Sequence, residues 1–227
     1  MTDEELIRQI TREVLKQLRQ GREQAPAPAE PRGPKALLLY TGGDQHLDEA
    51  VAVAGDLSAA GAQVRILCTP SARTLLGSTR IDRLAEAGQV LDEPTEAEIY
   101  GAVHWADVVA VPVLTQNTAA KWALGIRDTP ATNLLAAALL MNRPVVVCPD
   151  SAVPSTSNAP YRALLEGHID KLRTFGVQTV PVAEMARVCL GQACGPAPAT
   201  PATPVAPATS AAPVTPAAAA AAGETGT

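Results

Sequence analysis

An excess of positive charge is missing from this 227-residue chain: 18 lysines and arginines stand against 23 acidic residues, a formal net charge of −5. The basic residues are scattered, so the electrostatic footprint of a nucleic-acid-binding protein is absent. Long apolar runs are also missing. No uninterrupted stretch approaches the roughly 18 residues of a membrane helix, and no membrane partner is expected. The opening Met1-Thr2-Asp3-Glu4-Glu5 is acidic, unlike a secretory signal with its basic head and apolar centre. Cysteine is scarce, with Cys68, Cys148, Cys189 and Cys194 in no paired metal spacing. Two of them end apolar runs, and a reducing, cytoplasmic setting without a metal site fits best.

Proline is plentiful but confined. The segment Gly195–Thr227 holds 13 alanines, 7 prolines and a single charge, Glu224, and Gly21–Lys35 adds four more prolines. These two stretches take 11 of the 20 prolines and leave residues 36–194 as one folded unit of ordinary domain size. Much of the 47% hydrophobic content is alanine, which overstates the apolar mass. Residues 195–227 read as a disordered extension, because proline resists helix and sheet alike.

Residues 1–20 form a separate amphipathic pattern. Thr2 and Glu5 have capping-box spacing. Leu6, Ile7, Ile10, Val14 and Leu18 recur in steps that make one apolar stripe. Acidic residues come first and basic ones last, as the helix dipole favours. A helix of this length is marginal alone and needs a partner surface. It either folds back on its own domain, pairs as a short coiled coil, or serves as an address for another protein, reached across the linker 21–35.

Between these flanks, strand and helix alternate. Ala36–Tyr40, Gln63–Cys68, Gln89–Leu91, Val108–Val113, Val145–Cys148 and Val177–Val180 read as strands. Leu47–Ala60, Ile81–Ala87, Asn133–Met141 and Tyr161–Phe175 read as helices. Strands separated by helices imply a parallel sheet covered on both faces, a three-layer α/β sandwich. Ligands in such sheets sit beyond the carboxyl ends of the strands, where helix amino termini point.

Three strand exits carry suitable chemistry. Thr41-Gly42-Gly43 places a hydroxyl and two small residues where backbone amides can approach a phosphate. Thr69 and Ser71 put two hydroxyls at a helix start. Thr115-Gln116-Asn117-Thr118 is a dense polar patch after the most apolar strand. Each alone reads equally as a turn or a helix cap. Together they favour an anionic ligand, a mononucleotide. Asp150 follows another buried strand at the same edge and is the remaining candidate for catalysis, or a loop cap. Cys148 reads as a core residue.

The run Pro112–Lys121, continuing through Gly125–Pro130, resembles the FMN-binding signature of the homo-oligomeric flavin-containing cysteine decarboxylase (HFCD) superfamily. Thr41-Gly42-Gly43, Thr69, Trp105-Ala106-Asp107 and Arg143-Pro144-Val145 follow in matching order. The Leu-Thr-Gln-Asn-Thr wording is most similar to the flavoprotein component of dipicolinate synthase. The resemblance implies a Rossmann-like, flavodoxin-type domain that binds FMN at a subunit interface, commonly in trimer-based homo-oligomers. It puts Gly42 and Gly43 near the ribityl phosphate chain, Thr69 and Ser71 at the phosphate, and Thr115, Asn117 and Thr118 near the ring or ribityl groups. Lys121 and Asp128 become cofactor-adjacent or structural.

Two departures qualify what the resemblance implies. The decarboxylases' catalytic histidine, some eight residues before the Asp of the Trp-Ala-Asp block, is replaced by Ile99; His104 lies too close to Asp107 to be its equivalent. Their second signature, Pro-Ala-Met-Asn, gives way to Pro149-Asp150-Ser151-Ala152. Cysteine decarboxylation therefore lacks its usual titratable group. The first 20 residues resemble the encapsulation peptides of bacterial microcompartment cargo, implying a shell or cargo protein as partner and a location inside such a compartment. The expectation is an FMN flavoprotein with an electron-transfer or cofactor-recycling role. The competing readings are an enzyme resembling the dipicolinate synthase flavoprotein or the decarboxylases, and a non-catalytic scaffold.

Overall fold

In a computed structural model of the chain, residues 33–194 are described. They contain six strands: β1 (Lys35–Tyr40), β2 (Gln63–Cys68), β3 (Gln89–Leu91), β4 (Val108–Val113), β5 (Val145–Val147) and β6 (Gln178–Thr179). The seven helices are α1 (Leu47–Ala59), α2 (Pro70–Ala87), α3 (Glu96–Trp105), α4 (Gln116–Ala123), α5 (Pro130–Leu140), α6 (Ala159–Thr174) and α7 (Met185–Cys194). The expectations for residues 1–20 and for the tail lie outside the described residues.

All strands pair in parallel, in the order β3-β2-β1-β4-β5-β6. This is the doubly wound order of the Rossmann fold, in which the chain reverses direction across the sheet between β1 and β4. Both central strands are buried on both faces, which explains their unbroken apolar sequences: β4, Val-Val-Ala-Val-Pro-Val, is buried at every position. Side chains alternate across the sheet. Leu38 and Tyr40 join one core layer with α1, α2 and α7, whereas Leu37 and Leu39 join the other with α3, α4 and α5. The three-layer expectation holds.

Pro112 sits inside a central strand, where a missing N–H should break the ladder. The sheet absorbs it with a register shift. Leu38 faces Ala110, but Tyr40 faces Val113, so β4 carries one extra residue. The irregularity falls at the strand exit and brings the Val113 carbonyl beside Thr41.

Several helices are longer than the periodicity predicts, or were missed by it. Helix α2 begins at Pro70, at the helix start that Thr69 and Ser71 mark in the sequence, and continues into the helix read from Ile81; Thr69 accepts the Ala72 N–H at 3.2 Å and Pro70 occupies the first helical position. Gly77, at φ 68°, breaks it into two segments and hides the period. Helix α3 carries a complete Thr95–Glu98 capping box. Helix α4 lies wholly within and just after what the sequence reads as a polar patch, and α7 follows a single 3-10 turn at Val182–Glu184.

Candidate functional site

The carboxyl ends of β1, β2, β4 and β5 converge at the reversal point, and their loops are stitched to one another. Thr41 is the centre. Its hydroxyl donates to the Val113 carbonyl at 2.6 Å and accepts the Thr115 N–H at 3.0 Å, while its own N–H reaches the Val113 carbonyl at 3.3 Å. Only 3% of the residue is exposed. Thr41 thus fixes the β1 exit to the start of α4, and the β4 bulge supplies the carbonyl.

Gly42 and Gly43 serve close approach. A Cβ on Gly42 would lie 2.5 Å from the Ser71 Cβ at the start of α2. On Gly43 it would lie 2.5 Å from the Val113 Cγ1 and 2.6 Å from both the Cβ and the Oγ of Ser151. Neither position leaves room for a side chain. Ser151 also accepts the Gln45 N–H at 3.3 Å, and the His46 Nε2 stands 3.4 Å from the Asp150 Oδ2. The β1 loop therefore touches the β2, β4 and β5 loops in turn.

Two helices aim their amino termini at this convergence. In α2 the Thr69 hydroxyl caps Ala72; in α4 the Thr115 hydroxyl accepts from the Thr118 N–H at 3.4 Å and donates to the Thr118 hydroxyl at 2.9 Å. Those caps leave the Ser71 amide in α2 and the Gln116 and Asn117 amides in α4 without an intrahelical partner. The partial positive charge of both termini falls in the same place, an arrangement suited to an anionic group. Asn117 and Ser71 are exposed, whereas Thr118 is buried. The Gln116 side chain is held by the Tyr161 hydroxyl at 2.9 Å.

The structure thus brings together Thr41, Gly42, Gly43, Ser71, Thr115 and, through Ser151, Asp150. It spends the hydroxyls of Thr41, Thr69, Thr115 and Thr118 on loop bridges and caps. Sequence reasoning missed His46 as the partner of Asp150 and Ser151 as the contact of Gly43. Both pairs are remote in sequence, 104 to 108 residues apart, and no local signal announces them.

The other signature blocks lie elsewhere. Asp107, leading into β4, accepts the Lys35 N–H at 2.9 Å, and Arg65 stacks 4.2 Å over the Trp105 ring. Arg143 donates to the His104 carbonyl at 2.6 Å. All of these sit at the amino ends of the strands and tie the sheet together away from the ligand-bearing edge. Lys121 pairs with Asp128 at 2.7 Å, which holds the Asp128 carboxyl below its usual range and closes the loop between α4 and α5. Ile99 is buried in the core, so this position of α3 offers no titratable group. Burial pushes the Cys68 and Cys148 thiols up to about 11 and the Cys189 thiol up to about 12. Such thiols are protonated and poor nucleophiles.

Two surface cavities of about 440 and 420 Å³ lie apart from this convergence. One adjoins the β3 edge beside Arg65, Asp92 and Glu98, and the other lies between α1 and α2 beside Gly55, Arg83 and Glu86. Among the described residues no group of three His, Cys, Asp or Glu side chains could hold a metal, and no helix is long and apolar enough to cross a membrane.

Solved structures share the fold. The apo form of DmrB from Burkholderia xenovorans, described as a cubic protein cage for redox transfer, is 25% identical over 72% of this chain and 95% of its own, with a TM-score of 0.58. The FMN-dependent cysteine decarboxylase TvaF of thioviridamide biosynthesis is 24% identical over 71% of this chain and 99% of its own, also at 0.58. A dodecameric FMN-dependent UbiX-like decarboxylase from Escherichia coli O157:H7 is 18% identical over 69% and 93%, at 0.56. No curated protein matches the chain at a significant level. The family model described as "Flavoprotein" matches residues 25–203, most of the chain and all of the doubly wound sheet, so the chain belongs to the Flavoprotein family.

Proposed function

We propose that the chain binds FMN over the carboxyl ends of β1, β2 and β4 and works as a redox or cofactor-recycling flavoprotein. The observation that carries this reading is the convergence of two capped helix amino termini on Gly42-Gly43, bridged by buried Thr41. The donor set fits the cofactor: the Ser71 amide and hydroxyl and the α2 terminus suit a phosphate, and the exposed Asn117 amide with the Gln116 and Asn117 N–H groups suits the polar edges of a ring. When bound, FMN supplies the electron chemistry; the protein supplies binding, orientation and electrostatic tuning. Family membership and the FMN named for TvaF and the E. coli decarboxylase support the assignment.

The site is a subunit-interface site in a trimer-based homo-oligomer. Tyr161 and Leu164 on α6, with Leu124 and Ile126 after α4, leave large apolar groups exposed beside it, a surface that a second copy of the chain would cover. The assemblies named for DmrB and the E. coli decarboxylase, a cage and a dodecamer, point the same way.

Cysteine decarboxylation is disfavoured by buried Ile99 and by the Pro149-Asp150-Ser151 sequence; the similarity in wording to the dipicolinate synthase flavoprotein fits a flavin role without it. Residues 1–20 address the domain to a bacterial microcompartment, a reading that rests on the resemblance of this stripe and linker to encapsulation peptides. The absorption spectrum of purified protein tests the flavin assignment. A yellow chromophore, or uptake of added FMN at one per chain, is expected; protein that takes up none overturns it. A fluorescent protein fused to Met1–Gln20 is expected to concentrate in assembled shells, and a diffuse signal overturns the targeting.

A further inference from the structure

We propose that His46 and Asp150 form an acid–base dyad that exchanges a proton with the ligand held over the strand exits. This rests on the flavin reading of that site. Three observations join the same two loops: Gly43 packs on Ser151 with no space for a Cβ, the Gln45 N–H reaches the Ser151 Oγ at 3.3 Å, and the His46 Nε2 stands 3.4 Å from the Asp150 Oδ2. His46 holds a left-handed backbone, φ 54° and ψ 36°, at the position just before α1. That conformation is uncommon for a residue with a side chain, and such outliers cluster at functional sites. It turns the imidazole across to the β5 exit. Both side chains are about half exposed, 48% and 41%, and so remain accessible from the ligand-bearing edge.

The chemistry follows from the pairing. The tautomer protonated on Nε2 turns its N–H toward the Asp150 carboxylate and leaves the Nδ1 lone pair free. The Nδ1 lone pair is then the base. It forms one N–H bond with a proton from the ligand, the electron pair of the broken bond stays on the ligand, and the reverse step returns the proton. The dyad supplies from β1 and β5 the titratable group that Ile99 does not supply from α3.

Other charges near His46 are either paired or on its own segment. Asp44 and Glu49 flank it. Asp48 is held by Arg80 at 2.9 Å and lies 3.8 Å from Arg83, both from α2. On the turn leading to α7, Glu184 is held by Arg187 of that helix at 2.8 Å. Asp150 is the acidic group facing His46 from the β5 loop.

Two measurements on the full chain test this. In the first, NMR follows the His46 ring against pH without added ligand. Asp150→Asn is expected to move the His46 midpoint down, as loss of a neighbouring carboxylate does. An unmoved midpoint overturns the dyad whether or not FMN binds. In the second, the reduction midpoint of bound FMN is recorded against pH with dithionite as electron source. The wild-type profile is expected to inflect at the NMR midpoint, the inflection to vanish in His46→Asn, and to shift to lower pH in Asp150→Asn. Asparagine tolerates the left-handed backbone, so that variant keeps the fold while removing the titration. Superimposable wild-type and His46→Asn profiles in FMN-loaded protein overturn the proton exchange and leave FMN binding intact. Failure to take up FMN overturns the flavin reading and the exchange with it.

Discussion

Thr41 shows how one hydroxyl can set the geometry of a whole edge. It is a buried donor and acceptor at once, and its partners are the Val113 carbonyl, 72 residues away, and the Thr115 N–H just beyond it. Thr41→Val keeps the shape and removes both bonds; the Val113 carbonyl still accepts the Thr41 N–H, so the Thr115 N–H is the group left without a partner. Each buried group left without a partner costs about 1–3 kcal/mol. Chemical denaturation is expected to show a loss on the order of 1–3 kcal/mol, with weakened FMN uptake where the α4 start loosens. Gly43→Ala is expected to be at least as harmful, since its methyl would meet Val113 and Ser151 at about 2.5 Å, and overpacking of this kind typically costs about 1–3 kcal/mol or more. Retention of wild-type stability by both variants would show that the loops do not depend on these contacts.

Among elements, the start of α5 gives a physical reason for Asp128-Thr129-Pro130, a block the sequence marks only by resemblance. Thr129 caps the helix through the Thr132 N–H at 3.2 Å and receives the Thr132 hydroxyl in return, Pro130 occupies the first helical position, and Asp128 is anchored by Lys121. Thr129→Ala is expected to cost about 1 kcal/mol and Thr129→Ser much less, read as shifts of the urea midpoint at unchanged slope. Helices with local punctuation of this sort were legible in principle, as the Thr95–Glu98 box before α3 shows. Helix α2 was half hidden, because Gly77 interrupts its period. Helix α4 was hidden for another reason: its first turn, Gln116-Asn117-Thr118, is polar, with Thr118 tied to the Thr115 cap and Gln116 to Tyr161, and this breaks the amphipathic pattern that would reveal the helix.

Over the whole molecule, burial governs titration, and the exposed apolar groups test the proposed assembly. Tyr40 is pushed well above its ordinary value by burial, and Cys68, Cys148 and Cys189 are pushed to about 11, 11 and 12 by the same cause. A group whose folded value is raised holds its proton more tightly when folded. Its contribution is complete below the unfolded thiol value of about 8.5 and is lost as pH rises through the folded value. The urea midpoint is therefore expected to stay level through neutral pH and to fall from about pH 9 toward 11. A midpoint unchanged at about pH 10.5 would contradict the burial of these groups. Assembly is tested by Leu124→Glu combined with Leu164→Glu, which charges the exposed apolar groups flanking the site. A smaller particle in light scattering is expected, with FMN uptake falling in parallel. An unchanged particle would place the interface elsewhere.

Much of the fold was decided along the chain itself. Fully buried parallel strands need continuous Val, Leu and Ile, and the intervening helices need polar faces, so the parallel three-layer α/β class follows from local composition. The three loaded strand exits were legible for the same reason, since turns and caps require glycine, threonine and serine wherever they occur. Only the tertiary structure decided what those residues do together. It spent four of the threonine hydroxyls on bridges and caps, absorbed Pro112 in a bulge that moves the Val113 carbonyl to Thr41, and set His46 against Asp150 across 104 residues. Contacts between loops depend on strand order and register, which are settled by long-range packing, and no short-range pattern encodes them.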